Sequence, residues 1–291
     1  MDVTTNRIPG IWQRLFSTTH RLGWVNAAGI QTRYLEAGPS DAPVVVMLHG
    51  TAGSLENFCA NVAAYARHFR VVAIDMLGCG LTDKPDHPYM INDYAEHVRA
   101  TMDALEIDHA AVVGVSLGSW VGAALALAYP ALVDKLVMVA PAGIITDAEE
   151  EARVAEGVRS RRLAASADPT WETVHAAMKS LVIDPAALSD DLVAIRLAIY
   201  RDPRMKAAMP HLLAFSLGGQ ALSEAQWRSL SLPIQVFAAI DAPNMFLSNA
   251  YAIARTAPRA DLVELHGCDH WAQYEQPEAF NEASIDFLRR P

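Results

Sequence analysis

Cysteine is scarce in this chain, with only Cys59, Cys79 and Cys268 among 291 residues. An odd number without a repeated spacing excludes a disulfide framework and fits free thiols in a reducing compartment. Cations are also in deficit, 23 Lys and Arg against 33 Asp and Glu, for a net charge of −10. Phosphate backbones need a clustered basic surface, so this balance excludes nucleic acid as a partner. It gives an anionic ligand no long-range help either, and any such ligand has to be held by a local cation. The opening MDVTTNRIPGIWQRLF lacks the unbroken apolar core and small-residue cleavage site of a signal peptide. Long hydrophobic runs are missing with one exception: Ala110 to Tyr129 carries no charge for twenty residues, enough to cross a bilayer. Gly114, Ser116 and Gly118 divide it into a short β-rich run and a helix-like run, so it is not read as a span. A cytoplasmic location is the expectation.

Apolar residues are plentiful. They make up 52% of the chain against 19% charged, the composition of a compact globular protein. The length suits one large core with an inserted subdomain. Short apolar runs bounded by turn residues predict buried strands at Val44 to Leu48, Val71 to Ile74, Ala111 to Val115, Leu136 to Ala140, Ile234 to Ala239 and Leu262 to Leu265. Helix-length segments lie between most of them, including Leu55 to Arg67, Ile91 to Glu106 and Leu117 to Tyr129. Such alternation implies a mostly parallel sheet covered on both faces. Two alternating segments upstream, around His20 to Val25 and Ile30 to Glu36, read as an antiparallel hairpin at the sheet edge and bring the strands to eight. The rhythm breaks after Ala140. Residues 143–210 are Ala-rich, charged and helical in period, a cap inserted after the sixth strand between core segments 1–142 and 211–291.

Gly114-Val-Ser116-Leu-Gly118 follows a predicted strand and opens a predicted helix, the context of a nucleophile elbow that exposes a serine hydroxyl. That hydroxyl needs a base and donors for the oxyanion it creates. His270, in the loop after the last predicted strand, is the candidate base. The amide of Leu117 and that of Thr51 or Ala52, in the loop His49-Gly50-Thr51-Ala52-Gly53, are the candidate oxyanion donors; His49 itself reads as a loop-shaping residue. Gly78-Cys-Gly80-Leu-Thr-Asp83 lacks the third glycine of a dinucleotide fingerprint, and there is no P-loop. His266, Cys268 and His270 match no standard zinc spacing. No cofactor and no metal are expected.

These motifs resemble the α/β-hydrolase superfamily, and within it the meta-cleavage product hydrolases, which split carbon–carbon bonds in ring-opened aromatic compounds. The resemblance runs from about Pro43 to the C-terminus. It includes His49-Gly50, AIDMLGCGLTDKP from Ala73 to Pro85, MDALEID from Met102 to Asp108, the elbow, and HWAQYEQPEAFNEASIDFL from His270 to Leu288. The resemblance implies a pocket role for Gly50, Asn57 and Trp271, and makes Arg196, in DPAALSDDLVAIRLAIYRDP, the carboxylate-binding arginine. Three departures stand out: Val115 before the nucleophile, Ala239 for a usual glycine, and Ala242 where the family's catalytic acid aligns. Asp241, one residue early, is the leading candidate for the acid, with Asp147, Asp269 or no acid as alternatives.

The family's activity implies a small-molecule substrate, a 2-hydroxy-6-oxohexa-2,4-dienoate, cleaved between C5 and C6 by Ser116 through an acyl-enzyme. An esterase or lactonase using the same residues on a C–O bond is the second reading. A non-catalytic hydrolase-fold binding protein is the third, and a homo-oligomeric state is open under all three.

Overall fold

The computed structural model describes residues 8–291; the first seven, which open the segment read above as no signal peptide, lie outside the described residues. Eight strands form one sheet in the order β1-β2-β4-β3-β5-β6-β7-β8. They are β1 (His20–Ala27), β2 (Ile30–Ala37), β3 (Val44–Leu48), β4 (Arg70–Ile74), β5 (Ala110–Val115), β6 (Val133–Val139), β7 (Ile234–Ala239) and β8 (Ala260–Leu265). From β3 to β8 every pairing is parallel, while β2 runs antiparallel to β4 and β1 antiparallel to β2. The sequence encodes this division. β3 and β5 are apolar throughout and buried, as strands covered on both faces must be; β1 alternates exposed and half-buried positions, as an edge strand does. The β1–β2 turn places Ala28 and Gly29 at positive φ, and Asn26 Oδ1 accepts the Gly29 N–H at 2.6 Å. This is the backbone pattern of a two-residue hairpin.

Among the described residues twelve α-helices complete the fold: α1 (Ile11–Leu15), α2 (Val62–Tyr65), α3 (Ile91–Ala104), α4 (Leu117–Ala128), α5 (Ala148–Ala167), α6 (Trp171–Lys179), α7 (Asp190–Tyr200), α8 (Pro203–Leu212), α9 (Glu224–Ser229), α10 (Met245–Thr256), α11 (Ala272–Glu275) and α12 (Pro277–Arg289). Helices α5 to α8 follow β6 without an intervening strand and form the cap. The helix expected over Leu55 to Arg67 is broken into a 3-10 turn at Leu55–Phe58 and the short α2. Local side-chain bonds compete with a continuous helix there: Asn57 Oδ1 accepts the Ser54 N–H, and Asn61 Nδ2 donates to Gln273 O.

A buried ion cluster fixes that broken segment. Arg33 on β2 donates to Asp75 Oδ2 at 2.7 Å and to Glu56 Oε1 at 2.8 Å. Asp75 also accepts the N–H groups of Leu55 and Leu81. One guanidinium thus serves two carboxylates, with backbone N–H groups supplying the further donors to Asp75, and the cluster ties the turn bearing Asn57 to the end of β4. Strand order reverses at β3, whose neighbours are β4 on one side and β5 on the other. Ligands of open α/β sheets bind outside the carboxyl ends of strands at such a reversal, and here that crevice lies between the loop after β3 and the turn after β5. Among the described residues no helix is long and apolar enough to cross a membrane.

Candidate active site

Ser116 stands between β5 and α4 with φ 54° and ψ −113°. A non-glycine residue held there costs about 1–3 kcal/mol and persists only where its surroundings impose it. They do so here. Ser116 N–H donates to Val139 O at 2.9 Å, its own carbonyl accepts from Ser119 N–H, and Ser119 Oγ donates to Gly114 O. The flanking glycines permit the close approach: a Cβ on Gly114 would strike the Gly118 backbone, and one on Gly118 would strike Leu48 O. Helix α4 can therefore start directly against β3 and β5, leaving the Leu117 N–H at its amino end.

Ser116 opens into a cavity of about 350 Å³ walled by the core on one side and the cap on the other. Gly50, Thr51, Asn57, Leu117, Arg196, His270 and Trp271 all line it, so most of the residues singled out from sequence meet in one place. Ala52 does not. It is fully buried. Of the two candidates for the second oxyanion donor, Thr51 is the one that lines the cavity with Leu117. His49 keeps the loop in shape: Nδ1 donates to Gly50 O at 2.7 Å and Nε2 accepts the Met76 N–H at 3.1 Å. Burial pushes its pKa down to about 4, which keeps the ring neutral as both bonds require.

His270 follows β8 and borders the cavity with Ser116. Burial, and then the charge of Arg162, hold its pKa down to about 3, so the imidazole is neutral near pH 7 and a weaker base than an ordinary histidine. The Phe246 ring stands edge-on to it, with ring centres 4.4 Å apart and planes at 75°. No hydrogen bond joins His270 to a carboxylate among the described residues. Asp241, expected to complete the triad, accepts the Gly267 N–H at 2.8 Å and faces His266 Nδ1 at 3.3 Å on the surface. After β7 the chain turns back, Ala242 N–H donating to Ala239 O, and the Asp241 carboxylate stays at the surface. Asp147 caps α5 through the N–H groups of Glu149 and Glu150. Asp269 is taken by Asn244 Nδ2 at 3.0 Å and by the backbone N–H of His270. Behind His270, a cavity of about 10 Å³ lined by Ala242, Asn244 and Asp269 lies beside the position an aligned acid would occupy.

The opposite wall collects hydrogen-bond donors. Arg196 on α7 is buried and spends only Nη2, on Asn57 Oδ1 at 3.2 Å. Its Nε and Nη1, and Asn57 Nδ2, are buried without acceptors among the described residues. Both side chains line the cavity that holds Ser116, and a carboxylate is a group that pairs with such donors. Arg162 on α5 and Phe246 also line this cavity and were not singled out from sequence. Arg162 sits in a run of alternating charge that reads as a solvated helix face. All three cysteines are free and buried, and among the described residues no cluster of His, Cys, Asp and Glu could hold a metal ion.

Comparison with known proteins bears on the fold and family of the chain. The family model for the alpha/beta hydrolase fold matches residues 43–277. The 2-hydroxy-6-oxo-6-(2'-aminophenyl)hexa-2,4-dienoic acid hydrolase of Metapseudomonas resinovorans is 29% identical over 92% of this chain and 90% of its own. A 2-hydroxy-6-oxononadienedioate/2-hydroxy-6-oxononatrienedioate hydrolase of Comamonas testosteroni is 28% identical over 94% of this chain and 97% of its own. The crystal structure of a serine hydrolase involved in carbazole degradation superposes with a TM-score of 0.79 at 28% identity, covering 93% of this chain and 99% of that one. With the elbow, the eight-stranded sheet and the cap in place, the chain belongs to the α/β-hydrolase fold family.

Proposed function

We propose that this chain is a serine hydrolase that cleaves the C5–C6 bond of a 2-hydroxy-6-oxohexa-2,4-dienoate. The observation that carries the reading is the set of buried, unpaired donors of Arg196 and Asn57 in the same cavity as Ser116. An ester or lactone without an acid group leaves those donors unsatisfied, at a cost of about 1–3 kcal/mol each. A dienoate carboxylate fills them. The relatives described above are named for acids of this type, with an aminophenyl ring in one name and a dioate in the other.

In this reading Arg196 and Asn57 anchor the C1 carboxylate. The dienol first ketonises, C5 gaining a proton as the 2-hydroxyl loses one. His270 then takes the Ser116 proton as Oγ adds to the C6 ketone, and the Thr51 and Leu117 N–H groups receive the oxyanion. When the carbonyl re-forms, the C5–C6 bond breaks and its electron pair runs through the C3–C4 double bond into the 2-oxo group. The His270 imidazolium delivers its proton there, releasing a 2-hydroxypenta-2,4-dienoate. His270, neutral again, deprotonates the water that attacks the acyl group and passes that proton to Ser116 Oγ as it leaves.

The test is a matched assay with a coloured ring-fission dienoate and a general ester, on the wild type and Ser116→Ala. Loss of dienoate colour with a kcat/KM far above that for the ester, abolished in Ser116→Ala, is the expected result. Turnover of the ester alone would assign the same residues to C–O hydrolysis, and turnover of neither to a binding role.

A further inference from the structure

The cavity holds a second buried cation that the proposed chemistry does not use. Arg162, on α5, is 6% exposed, and its Nη1 has no acceptor among the described residues. Among the described residues no hydrogen bond or ion pair joins Arg162 to a carboxylate, and Arg196 and Arg161, two more cations, line the same cavity. The cavity does carry acids. Glu151 lies three helical turns away along α5, about 16 Å, and Asp269 is committed to Asn244 and the His270 backbone.

A guanidinium buried without a counter-charge costs several kcal/mol. The surface helix positions around it tolerate arginine at no such cost, so its place against the cavity calls for a compensating charge that the chain does not supply. Arg196 is in the same state, and its unpaired donors already account for one carboxylate. The two arginines are not duplicates, because Arg162 acts on His270 whereas Arg196 acts on His49 and bonds Asn57. They flank Tyr200 from different helices, with the Arg196 guanidinium 5.9 Å from the Tyr200 ring centre. One monoanion would neutralise one of them and leave the other bare.

We propose that Arg162 is a second anion-binding residue and that this pocket takes dianionic acids. The inference rests on the reading of the cavity as the acid-binding site of a serine hydrolase and narrows its substrate class. In a ring-fission acid the second charge has two chemical sources: a carboxylate on the group beyond C6, or the ionised 2-hydroxyl beside C1. The first places the two charges far apart and the second places them close together.

Binding to the Ser116→Ala protein decides the matter without turnover. Calorimetry compares nonanedioate with nonanoate, and malonate with propanoate, each pair differing by one carboxylate. At least one dianion is expected to bind about 10-fold or more tightly than its partner, and Arg162→Met is expected to erase that preference while Arg162→Lys keeps part of it. Preference in the long pair assigns the second charge to the far substituent, and preference in the short pair to the 2-oxygen. No preference in either pair, or a preference that survives Arg162→Met with the fold intact by circular dichroism, overturns the proposal. Because no bond is cleaved, a failure of the carbon–carbon reading in the assay above leaves this result independent of it.

Discussion

The Asp241 carboxylate faces His266, at 3.3 Å from Nδ1, and not His270. Its second anchor is the Gly267 N–H, and that bond is the main reason its pKa lies below the ordinary carboxylate value. Asp241 therefore ties the β7 loop to the β8 loop at the surface. Asp241→Asn keeps the acceptor for Gly267 and is expected to leave kcat within about threefold of wild type, since a surface contact of this kind contributes little. A loss of two or more orders of magnitude in kcat would return Asp241 to the catalytic machinery.

The small cavity behind His270 gives a complementary experiment. Ala242→Asp places a carboxylate where the imidazole lacks one, and a carboxylate there favours the tautomer that leaves Nε2 free for Ser116. It also favours the imidazolium, so the pKa of His270 rises from about 3. The expected outcome is a higher kcat near neutral pH together with an acid limb of the kcat profile displaced to higher pH. The cavity has room for about one water, so Phe246 has to yield slightly. An unchanged limb in a folded variant would show that the new side chain does not reach the ring.

How much of this was legible in the sequence depends on what each feature rests upon. The central strands, such as Val44–Leu48, were readable because burial on both faces demands an unbroken apolar run. Ser116 was readable because the strand, the glycines and the helix are local requirements of one turn. Asp241 was readable as a position but not as a direction, which the hydrogen bonds of the β7 turn decide. Arg162 was not readable at all. Its neighbours Arg159 and Arg161 are partly or fully exposed, and helix α5 has charge on several faces, because the side turned to the cap interior borders a cavity and not an apolar core.

Acid sensitivity follows from three histidines held neutral. Burial pushes His49 and His97 down to about 4 and, with help from Arg162, His270 to about 3, from an ordinary 6.5. In the unfolded chain each protonates near pH 6.5, so between that value and about 4 the unfolded state binds more protons. Stability therefore rises with pH across this window and falls as pH is lowered through it. His97 offers a probe outside the cavity, since its Nε2 pairs with Thr32 Oγ1 at 2.8 Å and its Nδ1 has no partner among the described residues. Denaturant titrations of His97→Gln between pH 6.5 and 4.5 are expected to show a slope reduced by up to about 1.4 kcal/mol per pH unit. An identical slope in the variant would mean that His97 takes up its proton as readily in the folded chain.

Arg196 distinguishes ligand binding from fold maintenance by the sign of two effects. A structural arginine, once removed, lowers stability and lowers activity on every substrate alike. Arg196 carries a buried charge with two unpaired nitrogens and only one side-chain acceptor, Asn57 Oδ1. Replacing such a charge by an apolar side chain of similar length relieves desolvation and is often neutral or stabilising. Arg196→Met is thus expected to melt at or above the wild-type temperature. On a dienoate acid it loses a charge-assisted contact of about 1.5–3 kcal/mol, or roughly 10- to 150-fold in kcat/KM, while a neutral ester loses almost nothing. Asn57→Ala removes one further donor to the same oxygens, so the two losses should fall short of additivity in the double variant, as they do for residues sharing one partner. A lower melting temperature with equal losses on acid and ester would make Arg196 a structural residue and remove the carboxylate site from the proposed function.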